Sequence, residues 1–107
     1  MKEIKAIIQS SMLDRVLLAL HGMKGLPGCT VSHVHGYRRA GGPPEEALQH
    51  EDRTKVEIVV KDSDAKIVVD AVVKSAWTGG SGDGKVFVMD CEDVVKIRTG
   101  ERGDAAV

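Results

Sequence analysis

Aromatic residues, cysteines and long apolar runs are all scarce in this sequence. Phe, Trp and Tyr make up only 3% of the 107 residues, so the hydrophobic core must be built from Val, Ile, Leu and Ala, a composition that favours a sheet. Two cysteines are too few for a disulfide scaffold. No apolar run approaches the roughly 20 residues of a membrane-spanning helix, and no signal peptide is recognisable. We therefore expect a cytoplasmic protein that does not insert into a membrane.

An excess of charge of either sign is also lacking. Acidic and basic side chains nearly balance, which gives a formal net charge of −1. A domain that binds nucleic acid is expected to be clearly basic, so the balance argues against that class of partner. The length fits one domain, which we assign to residues 1–107.

The apolar patterns predict a β-α-β unit that occurs twice. Strands are predicted at 4–8, 30–35, 55–60 and 85–90, with a further short strand at 94–98. Helices are predicted after Ser11 and after Asp62 or Ser63, since each of these residues can cap a helix. The inward stripe of the second helix is predicted to be Ala65, Val69, Val72, Val73 and Ala76. The order β-α-β-β-α-β is that of a ferredoxin-like α+β fold, with two helices on one face of an antiparallel sheet.

A glycine-rich segment, TGGSGDGK at residues 78–85, follows the second helix and is named the glycine loop below. Glycines allow backbone N–H groups to approach an anion closely, Lys85 adds a positive charge, and Asp83 can order the turn. The spacing is not that of a Walker A loop, and a strand follows instead of a helix. From composition alone the segment is either a phosphate-binding loop or a flexible connector.

Basic residues elsewhere supply further candidate contacts for an anion. Lys96 and Arg98 stand two apart, which on a strand places both on one face, and such a pair suits a polyphosphate. Arg38 and Arg39 precede the polar segment 40–54, which lacks apolar periodicity and is predicted as a long exposed loop. A solvated charged surface is the alternative interpretation for all four side chains.

His33 and His35 also stand two apart and share one face of their predicted strand. They are either ordinary surface side chains or half of a metal site. We assign no metal ligands. No nucleophile with a recognisable base and no carboxylate pair stands out, so the sequence does not predict an enzyme.

Six segments of the chain are similar to one known family, the PII signal-transduction proteins. MKEIKAII and LDRVLLAL resemble the family's first strand and helix, and CTVSHVHGYRR and KVEIVV resemble the strands on either side of its T-loop. TGGSGDGKVFV resembles the family's B-loop, and VVKIRTGERGDAA resembles its C-terminal signature. On this resemblance the T-loop covers about 40–54, the B-loop 78–85 and the C-terminal segment 96–107.

The resemblance implies a homotrimer that binds ATP, ADP or AMP in clefts between subunits, with Mg²⁺ or bicarbonate as a further ligand. It implies a T-loop that signals to a partner protein, such as a membrane transporter or a metabolic enzyme, in nitrogen or inorganic-carbon regulation. A small anion would bind at Arg38, Arg39 and Arg53. Carried over residue by residue, the nucleotide-binding residues are Ile7, Thr30, Gly36, Arg39, Glu57, Val59, Gly82, Asp83, Gly84, Lys85, Lys96 and Arg98.

Several positions depart from the family pattern. The T-loop is shorter than in typical members and lacks the tyrosine that many bacterial members have uridylylated. Ala40 stands in place of the glutamine that helps to bind magnesium and 2-oxoglutarate, Arg38 replaces a glycine, Arg53 replaces a lysine, and Lys96 replaces an arginine. We therefore expect a divergent branch, for which bicarbonate, 2-oxoglutarate or no second effector are the alternatives, and the charge of Arg38 favours a small anion such as bicarbonate. A trimeric metal-binding or tolerance protein of the same fold class is the alternative.

Overall fold

The computed structural model describes residues 1–39, 41–44 and 48–107. Within these residues strands and helices alternate in the predicted order: β1 (Lys2–Gln9), α1 (Leu13–His21), β2 (Thr30–Arg39), β3 (Leu48–Val60), α2 (Asp62–Ala76) and β4 (Gly84–Asp90). Short 3₁₀ segments lie at Ser10–Met12 and Gly103–Ala106. The ferredoxin-like α+β prediction is confirmed. No helix in the described part of the chain combines the length and apolar character needed to cross a membrane.

The strands form one antiparallel sheet in the order β2-β3-β1-β4. The central strand β1 pairs with β3 on one side and with β4 on the other, so that Ile4 lies opposite both Ile58 and Val88. β1 ends at Gln9, opposite Arg53. β2 and β3 continue beyond that point as a two-stranded ribbon, residues 35–39 paired with 48–52. The ribbon is named as such below.

Alternation along the strands directs one face of the sheet to the two helices. β1 and β3 bury every second side chain there, and α1 and α2 cover them with aliphatic stripes. Burial of each Val, Leu or Ile side chain is worth about 1.5–3 kcal/mol, so this layer supplies the driving force for folding. The core consists of Ile4, Ala6, Ile8, Val16, Leu20, Val56, Ile58, Val60, Val68, Val72 and Ala76.

The other side of the sheet, the open face, carries the side chains that alternate with the core. Because neighbouring side chains point to opposite faces of a strand, Ile7 of β1 and Lys85 of β4 project there side by side. Lys5 does the same, with its ammonium 5.1 Å from the centre of the Phe87 ring. Half of the residues predicted to bind nucleotide therefore lie on one surface: Ile7, Thr30, Gly36, Glu57, Val59 and Lys85.

The helices begin and pack somewhat differently from the prediction. No side chain caps α1 or α2 within the described residues, and Ser11 lies in the 3₁₀ turn that precedes α1. On α2 Val68 is fully buried, whereas Val73 is 50% exposed. The predicted inward stripe was therefore wrong at Val73. Val68 is four residues from Val72, and Val73 is three residues from Ala76, so both have helical spacing from a buried residue. Packing of α2 against α1 and β1 buries the face that contains Val68.

Residues 48–54 form the first half of β3, so the prediction of a loop over 40–54 was wrong for this part. Thr54 is fully buried, and its hydroxyl donates to Ser10 Oγ at 2.9 Å. Among the described residues, neither α1 nor α2 makes one of its main packing contacts with the ribbon, and its sequence shows no apolar alternation. Ala40 and residues 45–47, in the remainder of the predicted loop, lie outside the described residues.

Residues 94–98 do not form the predicted strand. Val95 makes one isolated bridge with Arg102, and the chain turns at 97–99, where Gly100 N–H donates to Lys96 O at 2.7 Å. Lys96 and Arg98 therefore do not share a strand face. The apolar run was long enough to resemble a strand, but Gly100, with φ of +75°, reverses the chain and closes the turn.

Gly84 fixes the point at which the chain leaves the glycine loop and joins β1. Its φ is +95°, and a Cβ there would overlap the carbonyl oxygen of Ile7. We expect Gly84→Ala to lower the free energy of unfolding by about 3 kcal/mol, since it combines left-handed backbone strain with a backbone clash. Urea denaturation measures this. Gly28→Ala is the matched control, because a Cβ at Gly28 meets nothing within 4 Å. Equal stability of the two variants would contradict the prediction.

Candidate functional site

A cleft of about 300 Å³ opens on the open face between the ribbon and the glycine loop. Its floor is formed by Ile7 of β1 and Lys85 of β4, which are paired in the sheet. This cleft is named the first cleft. Residues predicted from the sequence make up most of its wall: Ile7, Gly36, Arg38, Arg53, Gly82, Gly84 and Lys85.

Asp83 holds the glycine loop in shape. Its carboxylate accepts hydrogen bonds from the backbone N–H groups of Thr78 (2.7 Å) and Gly79 (2.9 Å), from the Thr78 hydroxyl, and from Gln9 Nε2 (3.0 Å). These donors lower the pKa of Asp83, with the Thr78 hydroxyl contributing most. The carboxylate is turned into the loop and does not line the first cleft. Asp83 thus orders the turn, as its position in the sequence suggested.

The tip of the glycine loop keeps backbone donors available. The Gly80 N–H donates to Thr78 Oγ1 (3.2 Å), and the Asp83 N–H donates to Gly80 O (3.3 Å). The N–H groups of Ser81 and Gly82 make no hydrogen bond to a described residue. Both residues line the first cleft. An anion in the cleft would therefore meet backbone donors that the loop itself does not use.

Two arginines reach from the ribbon region across the first cleft to the glycine loop. Arg38 Nη1 donates to Ser81 Oγ at 3.2 Å. Arg53 Nη2 lies 3.1 Å from the point where a Cβ of Gly82 would stand. Together with Lys85 they place three cations around one small cavity. Such groups bind phosphate and carboxylate through charge-assisted hydrogen bonds.

Glu51 lies between these two arginines. Its Oε2 is 2.5 Å from Arg53 Nη2 and its Oε1 is 3.5 Å from Arg38 Nε. The side chains of Arg53 and Glu51 are only 16% and 23% exposed. The first cleft therefore contains one carboxylate among its three cations, and its net charge stays positive.

Gly36 provides the space that the Arg53 side chain occupies. It lies opposite Glu51 in the β2–β3 pair. A Cβ at Gly36 would meet Arg53 Cγ at 3.5 Å and the Glu51 carbonyl oxygen at 3.6 Å. Any side chain larger than that of alanine would press on Arg53, so Gly36 contributes to the cleft by leaving room.

The other predicted nucleotide contacts on the open face surround a second cleft. Thr30, Glu57 and Val59 line this cavity of about 340 Å³, together with Val94 and the last two residues of the chain. Thr30 lies opposite Glu57 in the sheet. The first and second clefts share no lining residue. A single chain therefore does not bring all the predicted contacts together.

Arg39, Lys96 and Arg98 line neither cleft. Arg39 follows Arg38 on β2 and so projects to the opposite face of the strand. Lys96 Nζ lies 3.8 Å from Glu101 Oε1, in the segment after β4. Arg98 lies in the turn at 97–99. Within one chain Arg39 therefore does not join Arg38 and Arg53, with which the sequence analysis grouped it around a small anion.

The histidines considered as metal ligands lie on the face of β2 that points away from the first cleft. His35 Nδ1 is 3.2 Å from Asp52 Oδ1, and His33 Nδ1 is 3.5 Å from Thr54 Oγ1. Across residues 1–39, 41–44 and 48–107, no group of three or more His, Cys, Asp or Glu side chains is arranged to hold a metal ion. No observation on the described residues favours the metal-binding alternative.

Sequence reasoning missed Glu51, Ser81 and Phe87 as members of the first cleft. Glu51 stands two residues before Arg53, the spacing that places both on one face of a strand. That signal was hidden because the segment was taken for a loop. Ser81 and Phe87 flank residues that were chosen, and only the folded loop shows that their side chains enter the same cavity.

These features define a ferredoxin-like domain with an anion-suited cleft between a glycine loop and a projecting ribbon. A family model described as "Nitrogen regulatory protein P-II" matches residues 1–101. The chain therefore belongs to the P-II family of regulatory proteins. This confirms the resemblance drawn from the sequence motifs, and with it a role in signal transduction.

Similar proteins cover the whole chain. It is 46% identical to "Nitrogen regulatory protein P-II 2" of Methanothermobacter thermautotrophicus, over 100% of this chain and 97% of that protein. It is 42% identical to "Nitrogen regulatory protein P-II 1" of Escherichia coli over the full length of both. The crystal structure of Arabidopsis thaliana PII bound to citrate superposes with a TM-score of 0.84 at 36% identity, covering 99% of this chain and 91% of that one.

The hydrogen bonds around Asp83 make a prediction about its titration. Its pKa in the folded protein is lowered from the ordinary 3.8, so the ionised carboxylate stabilises the loop fully above that pH. This stabilisation is lost as the pH falls through the lowered value. We expect Thr78→Val to move the pKa of Asp83 back toward 3.8, because it removes the strongest donor. An NMR titration of the Asp83 carboxyl carbon measures both values.

Ser81→Ala is the control for this titration, since the Ser81 hydroxyl bonds to Arg38 and not to Asp83. It is expected to leave the pKa of Asp83 unchanged. If Thr78→Val and Ser81→Ala gave the same titration curve as the parent protein, Asp83 would not be held by the hydrogen bonds described above.

Proposed function

We propose that this protein is a PII-type regulator that binds ATP, ADP or AMP with the phosphates in the first cleft. The observation that carries the proposal is the convergence of Lys85, Arg38 and Arg53 on the glycine loop. The unused N–H groups of Ser81 and Gly82 add backbone donors. Fixed cations and backbone N–H donors around a cleft of this size suit a phosphate chain. Gly84 lets the strand pass close enough to Ile7 to form the floor.

The nucleotide site is completed, in our proposal, by a second copy of the chain. The second cleft offers Glu57 and Thr30 as polar partners and Val59 as an apolar one, a set that suits adenine and ribose. The open face also leaves Phe87 42% and Met89 37% exposed. In a homotrimer with head-to-tail contacts, these apolar residues would be covered and one copy's second cleft would meet the next copy's first cleft.

Lys96 and Arg98 belong to the proposed site only through this assembly. They lie in the segment after β4, which also contributes Val94 to the second cleft. A neighbouring copy would bring that segment toward the phosphates in the first cleft. Both side chains carry the positive charge that such a position requires.

In this proposal the ribbon, together with residues 40–47 between its two strands, transmits the signal to a partner protein. The ribbon holds Arg38 on β2 and Glu51 on β3, which both line the first cleft. Nucleotide binding would therefore change the restraints on the ribbon and its ability to dock on a partner. We propose a membrane transporter or a metabolic enzyme in nitrogen or inorganic-carbon regulation as that partner. The two free cysteines suit action in the reducing cytoplasm.

A small anion is the second effector that we propose, at Arg38 and Arg53. Two guanidinium groups facing one cavity suit a carboxylate-type ligand such as bicarbonate. Mg²⁺ would accompany the nucleotide, bound to its phosphates, and would not bind at these arginines. The similar Arabidopsis protein is described as bound to citrate, a carboxylate anion. Arg39 is not part of this proposal, because it projects to the other face of β2.

Calorimetric titration with ATP, ADP and AMP tests the nucleotide proposal. We expect binding by the parent protein and a loss of about tenfold or more in ATP affinity for Lys85→Ala, since one charge-assisted contact to phosphate is removed. Lys74→Ala is the matched control, because Lys74 is an exposed lysine on α2, on the other side of the sheet. Failure of the parent protein to bind any of the three nucleotides at millimolar concentration would refute the proposal.

Mixed oligomers test whether one site takes residues from two chains. Lys85→Ala damages only the first cleft, and Val59→Trp fills only the second. Each variant alone is expected to bind ATP weakly. After the two are unfolded and reassembled together, about a quarter of the sites would combine an intact first cleft with an intact second cleft.

The readout is the number of tight ATP sites per chain, with light scattering to confirm that each variant assembles. The parent chain mixed with Lys85→Ala provides the control for the effect of reassembly. No recovery of tight sites in the Lys85→Ala and Val59→Trp mixture would show that the two clefts do not meet.

A further inference from the structure

Glu51 places a carboxylate inside the cleft to which the proposed function assigns phosphate. Each of its two oxygens faces a different guanidinium group, at 2.5 Å from Arg53 and 3.5 Å from Arg38. A carboxylate shared between two arginines is also the arrangement in which these side chains hold an anionic ligand. The protein thus supplies one of its own carboxylates to its anion site.

A second nitrogen of each arginine is bound to the protein. Arg38 Nη1 donates to Ser81 Oγ, and Arg53 Nη1 donates to the Asp52 carbonyl oxygen at 3.1 Å. Arg38 Nε and Arg53 Nη2 are the nitrogens that contact Glu51. An incoming anion that binds at these two nitrogens must take the place of Glu51.

The neighbouring residue Asp52 shows that this placement is specific to Glu51. Asp52 points to the opposite face of β3, pairs with His35, and its side chain is 85% exposed. A surface pair of that kind is weakened by water and salt. Glu51 and Arg53 are largely withdrawn from solvent, so the interaction between them is screened less.

We propose that Glu51 is an internal competitor that an anionic ligand must displace from Arg38 and Arg53. It sets the affinity of the first cleft for phosphate-type anions, and this inference rests on the proposed function for its physiological ligand. Glu51 belongs to β3 and Arg38 to β2, so the displacement of Glu51 also removes a contact between the two strands of the ribbon. Occupancy of the cleft and restraint of the ribbon are then coupled through one side chain.

Inorganic pyrophosphate is the probe for this competition, titrated by calorimetry at constant ionic strength. Glu51→Gln keeps the size of the side chain and removes its charge. We expect it to bind pyrophosphate about fivefold more tightly than the parent protein, or better. Glu51→Ala is expected to act in the same direction. Asp52→Asn is the matched control: it makes the same change in net charge one residue away, and its affinity is expected to stay within about twofold of the parent.

Thermal denaturation confirms that each variant is folded before titration. Equal, weaker or undetectable pyrophosphate binding by both Glu51 variants would overturn the proposal, since it would show that Glu51 instead holds the arginines ready for the ligand. An equal gain from Asp52→Asn would also overturn it, because net charge alone would explain the result. ATP binding by the parent protein is measured separately, and its absence would refute the nucleotide function while leaving the pyrophosphate comparison valid.

Discussion

The site depends on the close approach of the Gly84 backbone to the carbonyl group of Ile7. It lets β4 start pairing with β1 immediately after the glycine loop, so the loop is held beside the end of β1. From there Asp83 reaches Gln9, and the tip of the loop lies within reach of the arginines on β2 and β3. A residue with a Cβ at position 84 would separate the loop from the sheet and open the first cleft. The phosphate chemistry proposed for the cleft thus begins with a steric requirement in the backbone.

The parts of the fold with one buried and one open face were predictable from sequence. β1 and the second half of β3 alternate clearly, and the spacing of apolar residues located both helices. The ribbon was not predictable in this way, because its strands contribute no residue to the hydrophobic core and its sequence shows no apolar period. For α2 the spacing allowed both Val68 and Val73, and only contact with α1 and β1 decides between them. Residues 94–98 show the opposite error, since a short apolar run followed by a glycine turn resembled a strand.

The sequence predicted many of the residues of the candidate site but not how they are arranged in space. The glycine loop could be identified because glycine, aspartate and lysine each have a distinct local use there. Arg38 and Arg39 could not be separated by residue type, and they lie on opposite faces of β2. Glu51 escaped notice because a carboxylate is not expected where anions bind. Its spacing from Arg53 places both side chains on one face only in a strand, and the segment was taken for a loop.

The hydrogen bonds that Asp83 accepts within the glycine loop also affect how quickly a ligand can bind. A loop that waits for its ligand to order it loses conformational freedom at the moment of binding, which reduces affinity and slows productive encounters. Here an internal carboxylate already holds Thr78 and Gly79 in place, so that loss of entropy has occurred during folding. The glycine loop is then preorganised before a ligand arrives. In the proposed function, recognition by this loop and response by the ribbon would be divided between two sides of the same cleft.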